Sequence, residues 1–257
     1  MSVERRVDYD DHQYRVFSRA RAVLPENRRL WTAIFRNWMA GARVVVDVGA
    51  GVGLYSTVLA GAFEDAEVIA VEPSERMRAV AQSEHAHERV SYRAGRAEAL
   101  PLDDATADGA MLSNVLHHVD DRRAAATELH RVLRPGGTVV IRGSLRDSLR
   151  LNPHWSFFPG ALAISEAKTP SVGEVVELFS DAGFVHIASD IVEQPNAPDL
   201  SAFAERIALR AISSLELLDD DEFERGLTEL RAAAAEEADP QPVMELLDLV
   251  VLRRPAA

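Results

Sequence analysis

Hydrophobic positions first become periodic at "PENRRLWTAIFRNWM", where Leu30, Trp31, Ile34, Phe35 and Trp38 recur at helical spacing and predict an amphipathic helix ending near Gly41. Beyond it, short apolar runs alternate with helical stretches. The runs are "RVVVDVG" from Arg43, "EVIAVEP" from Glu67, "RVSYRAG" from Arg89, "GAMLSNV" from Gly109, "GTVVIRG" from Gly137, "FVHIASDIV" from Phe184 and "LDLVVLRR" from Leu247. Between them, "YSTVLAGAF", "SERMRAVAQSEH", "DRRAAATELHRVL" and "SVGEVVELFSDAG" supply crossover helices. Asp120 or Asp121 and Ser171 stand as N-caps, and "RPGG" at Arg134 acts as a stop. The alternation predicts an α/β fold, a doubly wound seven-stranded sheet covered on both faces.

Two stretches break the alternation. One, about 146–170, contains "NPHWSFFPGALAI"; the other, about 195–241, reads as helices. In an open α/β sheet the ligand lies beyond the carboxyl ends of the strands, so insertions there shape the pocket. Arg146, His154, Trp155, Phe157 and Phe158 are accordingly candidates for an aromatic, largely apolar substrate pocket; the competing reading places such aromatics in a core. Residues 1–40 form a helical N-terminal segment ahead of the main unit, 41–257. Its Tyr9, His12, Tyr14 and Arg19 suit a lid, with Tyr14 and Arg19 able to meet a carboxylate and Tyr9 and His12 facing substrate; an ordinary surface helix is the alternative.

Composition narrows the chemistry. The 257 residues include no cysteine, which excludes disulfides, thiolate metal sites and a cysteine nucleophile. A net charge of -13 repels polyphosphates and argues against nucleic acid as a partner. No run reaches the roughly 18 apolar residues of a membrane span, and the charged N-terminus does not resemble a signal peptide, so a cytoplasmic protein is expected; a monomer or homodimer is the expected state.

The segment "VVVDVGAGVGLYS" places Gly49, Gly51 and Gly53 in a G-x-G-x-G turn after the first strand. A dinucleotide fingerprint needs a further glycine where Leu54 stands, and a phosphate-binding P-loop needs a Gly-Lys-Ser/Thr that is absent. What remains is a tight turn bringing bare backbone to a ligand. About 20 residues on, "VIAVEPS" ends the second strand with Glu72, whose carboxylate can accept both hydroxyls of a ribose. Either feature alone also fits a purely geometric turn or a solvated strand-end carboxylate.

Together with "GRAEALPLDDATADGAMLSNVLHHVDD" and "ELHRVLRPGGTVVIRG", these segments resemble, in order and spacing, the class I S-adenosylmethionine-dependent methyltransferases, in the branch that methylates small molecules and includes quinone-biosynthesis enzymes. The resemblance covers about residues 40–145. It implies that Gly49, Gly51 and Gly53 form the turn under the methionine part of the cofactor, supported by Asp47, and that Glu72 binds the ribose. It further implies Pro73 and Met77 flanking the adenine, Arg96, Ala97 and Glu98 closing over its edge, Ser113 and Asn114 facing the methionine end, and a last strand antiparallel to the rest.

Methyl transfer from a sulfonium is an in-line displacement, so the protein mainly aligns the reactants and excludes water. A protonated nucleophile also needs a base, and His117 and His118, just past the fourth strand, are the candidates, with His118 also able to contact substrate; packing is the competing role. His118 and Asp120 have the spacing of an iron-binding pair, but Asp120 is better explained as a helix cap and no metal is expected. His85 and His87 lie in a polar stretch. Two rivals stay open: a protein of this fold that holds the cofactor without methylating, and a nicotinamide oxidoreductase, which Leu54 disfavours.

Overall fold

The computed structural model describes Tyr14, Ser18 and residues 21–256. The strands fall on the apolar runs: β1 (Val44–Val48), β2 (Glu67–Val71), β3 (Val90–Arg93), β4 (Ala107–Ser113), β5 (Leu133–Gly143), β6 (Val185–Ala197) and β7 (Val243–Arg253). Around them lie α1 (Pro25–Trp38), α2 (Leu54–Ala62), α3 (Glu75–Glu84), α4 (Arg122–Val132), α5 (Arg146–Leu149), α6 (Pro159–Lys168), α7 (Val172–Asp181), α8 (Leu200–Ile207), α9 (Ser213–Glu216) and α10 (Asp220–Ala235). The order across the sheet is β3-β2-β1-β4-β5-β7-β6. Only β7 opposes its neighbours, pairing antiparallel with both β5 and β6, as the resemblance implies.

The chain winds outward from β1 through β2 to β3 and then returns to place β4 on the other side of β1. This reversal opens a crevice above the carboxyl ends of β1 and β4. Alternate strand residues face opposite layers. Val45, Val68, Met111 and Val140 pack under α1 and α2, whereas Val46, Ile69, Leu112 and Ile141 pack under α4 and α7.

α1 therefore belongs to the sandwich. Its Trp31 and Phe35 are 0% exposed, so the expected lid segment 1–40 does not hold as one unit. Any lid lies upstream of Pro25, where Tyr9, His12 and Arg19 fall outside the described residues. The cap before α4 is Asp121, whose side chain accepts the amide of Ala124 at 2.9 Å, while Asp120 is held by Arg96 at 3.4 Å. Ser171 caps α7 in a reciprocal box with Glu174, as its position predicts.

The two insertions fold together into a second apolar cluster, built from Trp155, Phe158, Phe203, Leu215 and Phe223 among others. Their attachment to the sheet has a simple cause. β5 ends opposite Asp248, which leaves the earlier part of β7 without a strand on that side. Asn152 takes the missing strand's place, accepting the amide of Leu246 at 2.9 Å and donating to its carbonyl at 3.0 Å. Asp248 adds bonds from the Leu145 amide and the Ser148 hydroxyl. Replacing Asn152 with Ala leaves both Leu246 groups without these partners and is expected to cost about 1–3 kcal/mol in urea unfolding; a loss below about 0.5 kcal/mol would show that the clasp does not hold the insertion.

Candidate functional site

A cavity of about 680 Å³ fills the crevice and continues under the insertions. The turn after β1 forms one wall. Gly49, Gly51 and Gly53 have φ of 71°, 56° and 83°, a region in which side chains are strained, and a Cβ on Gly49 would lie 2.5 Å from Val115. The turn thus brings Gly51 to the end of β2. There Glu72 accepts the amides of Gly51 and Ser74, one on each carboxylate oxygen, both at 2.9 Å. The two bonds fix the plane of the carboxylate, whose oxygens are acceptors only and so suit hydroxyl donors.

Beside it, Val52, Leu54 and Met77 make a small apolar cluster against which Tyr14 packs. Met77 also lines the cavity, with Pro73, Arg96, Ala97 and Glu98. On the other side of the turn lies Asp47, 1% exposed and bonded to the Ser56 hydroxyl at 2.6 Å. Burial pushes its pKa up to about 7, against the lowering effect of Ser56. Glu72 raises it further and Arg142 lowers it without cancelling the burial, and a positively charged ligand would act in the same sense as Arg142. An apolar slot, a fixed ribose acceptor and a buried acid match adenine, ribose and the cationic methionine end of S-adenosylmethionine, so the residues present fit that cofactor.

The far arm of the cavity differs in sign. Arg21, Arg122, Lys168 and Arg206 line it, as do His117, His118 and His154. His117 and His118 sit on a single 3-10 turn with ring centroids 3.9 Å apart. Desolvation, reinforced by Arg21 and Lys168, holds both below the ordinary histidine value, so they are neutral at pH 7 and suited to accepting a hydrogen bond rather than keeping a proton. His154, 7% exposed, is pushed down to about 3 by burial and then by Arg21, and its ring lies 4.1 Å from that of Trp155.

The expected residues thus divide. Asp47, Gly49, Gly51, Glu72, Pro73, Met77, Arg96, Ala97, Glu98, Ser113, Asn114, His117, His118, His154 and Trp155 line this one cavity. Gly53 instead caps α2, with Tyr92 behind it. Three residues placed in the substrate pocket lie elsewhere. Arg146 bonds Glu174 at 2.7 Å and the Thr169 carbonyl at 3.1 Å, tying α5 to α7. Phe158 is fully buried against Phe223, with centroids 5.8 Å apart, and Phe157 packs with the same cluster; both build the insertion's core. His85, expected in solvent, is half-buried and its carbonyl accepts the Tyr92 hydroxyl.

Arg142, Gln194 and Glu245 line the cavity and are absent from the expectations. Each interrupts an otherwise apolar or extended run, which was the available signal. Trp31 donates its indole N–H to Gln194 at 2.6 Å, and Gln194 donates to Glu245 at 2.7 Å.

A family model described as a methyltransferase domain matches residues 46–141. The chain is 35% identical over 133 residues to a ubiquinone/menaquinone biosynthesis C-methyltransferase of Rubrivivax gelatinosus, covering 51% of each. It is 29% identical to an O-methyltransferase of Penicillium expansum, over 62% of this chain and 58% of that one. The chain spans about half the length of the curated relatives it matches. Among solved structures, one from Anabaena variabilis, described as a methyltransferase from an antibiotic biosynthesis pathway, superimposes with a TM-score of 0.65 at 23% identity, over 86% of this chain and 96% of that one.

Asp47 makes the cofactor reading testable by pH. Its raised value favours the neutral carboxyl in the free protein, an effect that stabilises fully below the unfolded value and is lost as pH rises through about 7. A cationic ligand reverses the preference. S-adenosylmethionine is therefore expected to release a proton on binding below pH 7 and to bind up to tenfold tighter per pH unit until Asp47 is ionised. Calorimetry in buffers of different ionisation enthalpy reads the proton; a pH-independent affinity, equal to that of Asp47→Asn, would contradict the assignment.

Proposed function

We infer, from the match of residues 46–141 to a methyltransferase domain and from the geometry of the cavity, that the protein transfers the methyl group of S-adenosylmethionine to an oxygen, carbon or nitrogen atom of a small, lipophilic or aromatic molecule. The observation that carries this reading is the continuity of the cavity. The ledge made by Asp47, Glu72 and the glycine turn opens directly into an arm walled by Trp155, Ile164, Phe203, Ile207 and Leu215.

Each part has a defined task. Glu72 holds the ribose, Val52, Leu54 and Met77 grip the adenine, and Asp47 offsets positive charge beneath the methionine end. Ser113 and Asn114 border the place where the reacting atoms meet, Asn114 in a left-handed conformation with φ 54° that turns the chain away from the strand. When bound, S-adenosylmethionine supplies an electrophilic methyl group. The insertions cover the acceptor, and their apolar wall keeps water from competing for that methyl. His117 and His118, both neutral, stand as hydrogen-bonding contacts to the acceptor. Tyr14 and Arg19 are assigned to the cofactor's cover, and Tyr9 and His12 to the acceptor's. The relatives named as C- and O-methyltransferases support this class of reaction.

Calorimetric titration with S-adenosylmethionine, S-adenosylhomocysteine and a nicotinamide dinucleotide tests the reading. Micromolar binding of the first two and none of the third is expected. Glu72→Ala removes the ribose acceptor and should weaken both by tenfold or more, the loss of a charged hydrogen-bonding group being worth about 1.5–3 kcal/mol. Equal affinity in this variant, with the fold intact by circular dichroism, would overturn the role of Glu72.

A further inference from the structure

Arg142, at the end of β5, is 3% exposed and lines the cavity. Its guanidinium sits in the corner made by two nearly perpendicular rings, 4.4 Å from the ring centre of Trp31 and 4.0 Å from that of Tyr55. One terminal nitrogen donates to the Ser113 hydroxyl at 2.6 Å. Its Nε is buried without a hydrogen-bond partner, and among the described residues no carboxylate is in ion-pair contact with it. Arginine keeps its charge at any working pH, and a desolvated cation without an anion is costly. Such an arrangement is built for an anion that arrives with a ligand.

The strand order says which ligand. Glu72 ends β2, and β5 lies three strands away across β1 and β4, about 14 Å at ordinary strand spacing. Arg142 therefore stands beyond Ser113 as seen from Glu72. Asp47, Glu72, Tyr55, Glu245, Arg21, Arg28 and Arg206 are among the ionisable groups around this corner, and Asp47 and Tyr55 both feel the charge of Arg142. Glu245 is engaged by Gln194 and Asp47 by Ser56.

Resting on the methyltransferase reading, we propose that Arg142 binds the acceptor as an oxyanion, so that the substrate class is acidic hydroxyl compounds such as phenols and enols. The two rings and the Ser113 hydroxyl fix the guanidinium in place, and its terminal nitrogens meet the acceptor oxygen. The acceptor's proton leaves to solvent on binding, and no protein base is needed in the transfer. The oxygen's lone pair forms the new O–CH3 bond as the C–S pair stays on sulfur, converting the sulfonium to a thioether. This accounts for an arm whose histidines cannot retain a proton at neutral pH.

The test uses 4-nitrophenol, whose absorbance reports its ionisation, titrated into protein loaded with S-adenosylhomocysteine. Wild type should bind the phenolate at least tenfold tighter than the phenol, lowering the probe's apparent pKa by about one unit. Arg142→Met should lose that preference, Arg142→Lys should keep part of it, and the affinity for S-adenosylhomocysteine should change less than about threefold in both. No preference for phenolate in wild type overturns the proposal whether or not Arg142→Met folds. So does a preference undiminished in Arg142→Met, or a tenfold loss of S-adenosylhomocysteine affinity with phenolate binding retained, which would give Arg142 to the cofactor's carboxylate. Failure of wild type to bind S-adenosylhomocysteine would strike the cofactor reading instead, and the nitrophenolate titration of the free protein would still decide Arg142.

Discussion

The clamp between Glu72 and two backbone amides is the constraint on which the rest of the site depends. One carboxylate oxygen takes the amide of Gly51 and the other that of Ser74, so the turn after β1 and the turn after β2 are locked to one plane. Neighbouring parallel strands set the separation of these turns, and the left-handed glycines allow the approach. A charged acceptor makes such bonds stronger than neutral pairs do. Glu72 is thus rigid before any ligand binds, so a ribose held there, as proposed, would meet little ordering cost.

Charge is arranged along the cavity in the same direction as the strands are ordered. Carboxylates, Asp47 and Glu72, stand under the ends of β1 and β2. Arg142 stands at the end of β5, and Lys168 and Arg206 reach the cavity from the insertions. In the proposed reaction a cationic donor and an electron-rich acceptor would each be drawn to the end that suits them and would meet at the end of β4. The low dielectric of the buried arm strengthens these preferences. It also explains why the histidines there stay neutral: desolvation and the adjacent cations act in the same sense.

Local features were legible in the sequence. Strand runs, the Ser171 cap, the glycine turn and Glu72 each announce themselves within a few residues, because backbone geometry and strand periodicity are local properties. The acceptor side was not. Asn152 matters because β7 outruns β5, a fact of register between residues about 100 positions apart. Arg142 becomes an anion site only when Trp31 from α1 and Tyr55 from α2 close over it. "HWSFF" reads as one aromatic patch, yet the turn of the chain sends His154 and Trp155 to the cavity and Phe158 into the insertion's core. The charge state of His117 and His118 depends on Arg21 and Lys168, which no spacing rule connects to them.

The central claim is that the turn after β1 and Glu72 hold S-adenosylmethionine with its methyl end opening on the insertion arm. A crystal structure of the protein grown with S-adenosylhomocysteine tests it most directly. The account predicts both ribose hydroxyls on Glu72, adenine between Leu54 and Met77, and the thioether sulfur facing the arm beside Ser113. A ribose bound away from Glu72, or a sulfur turned from the arm, would contradict it.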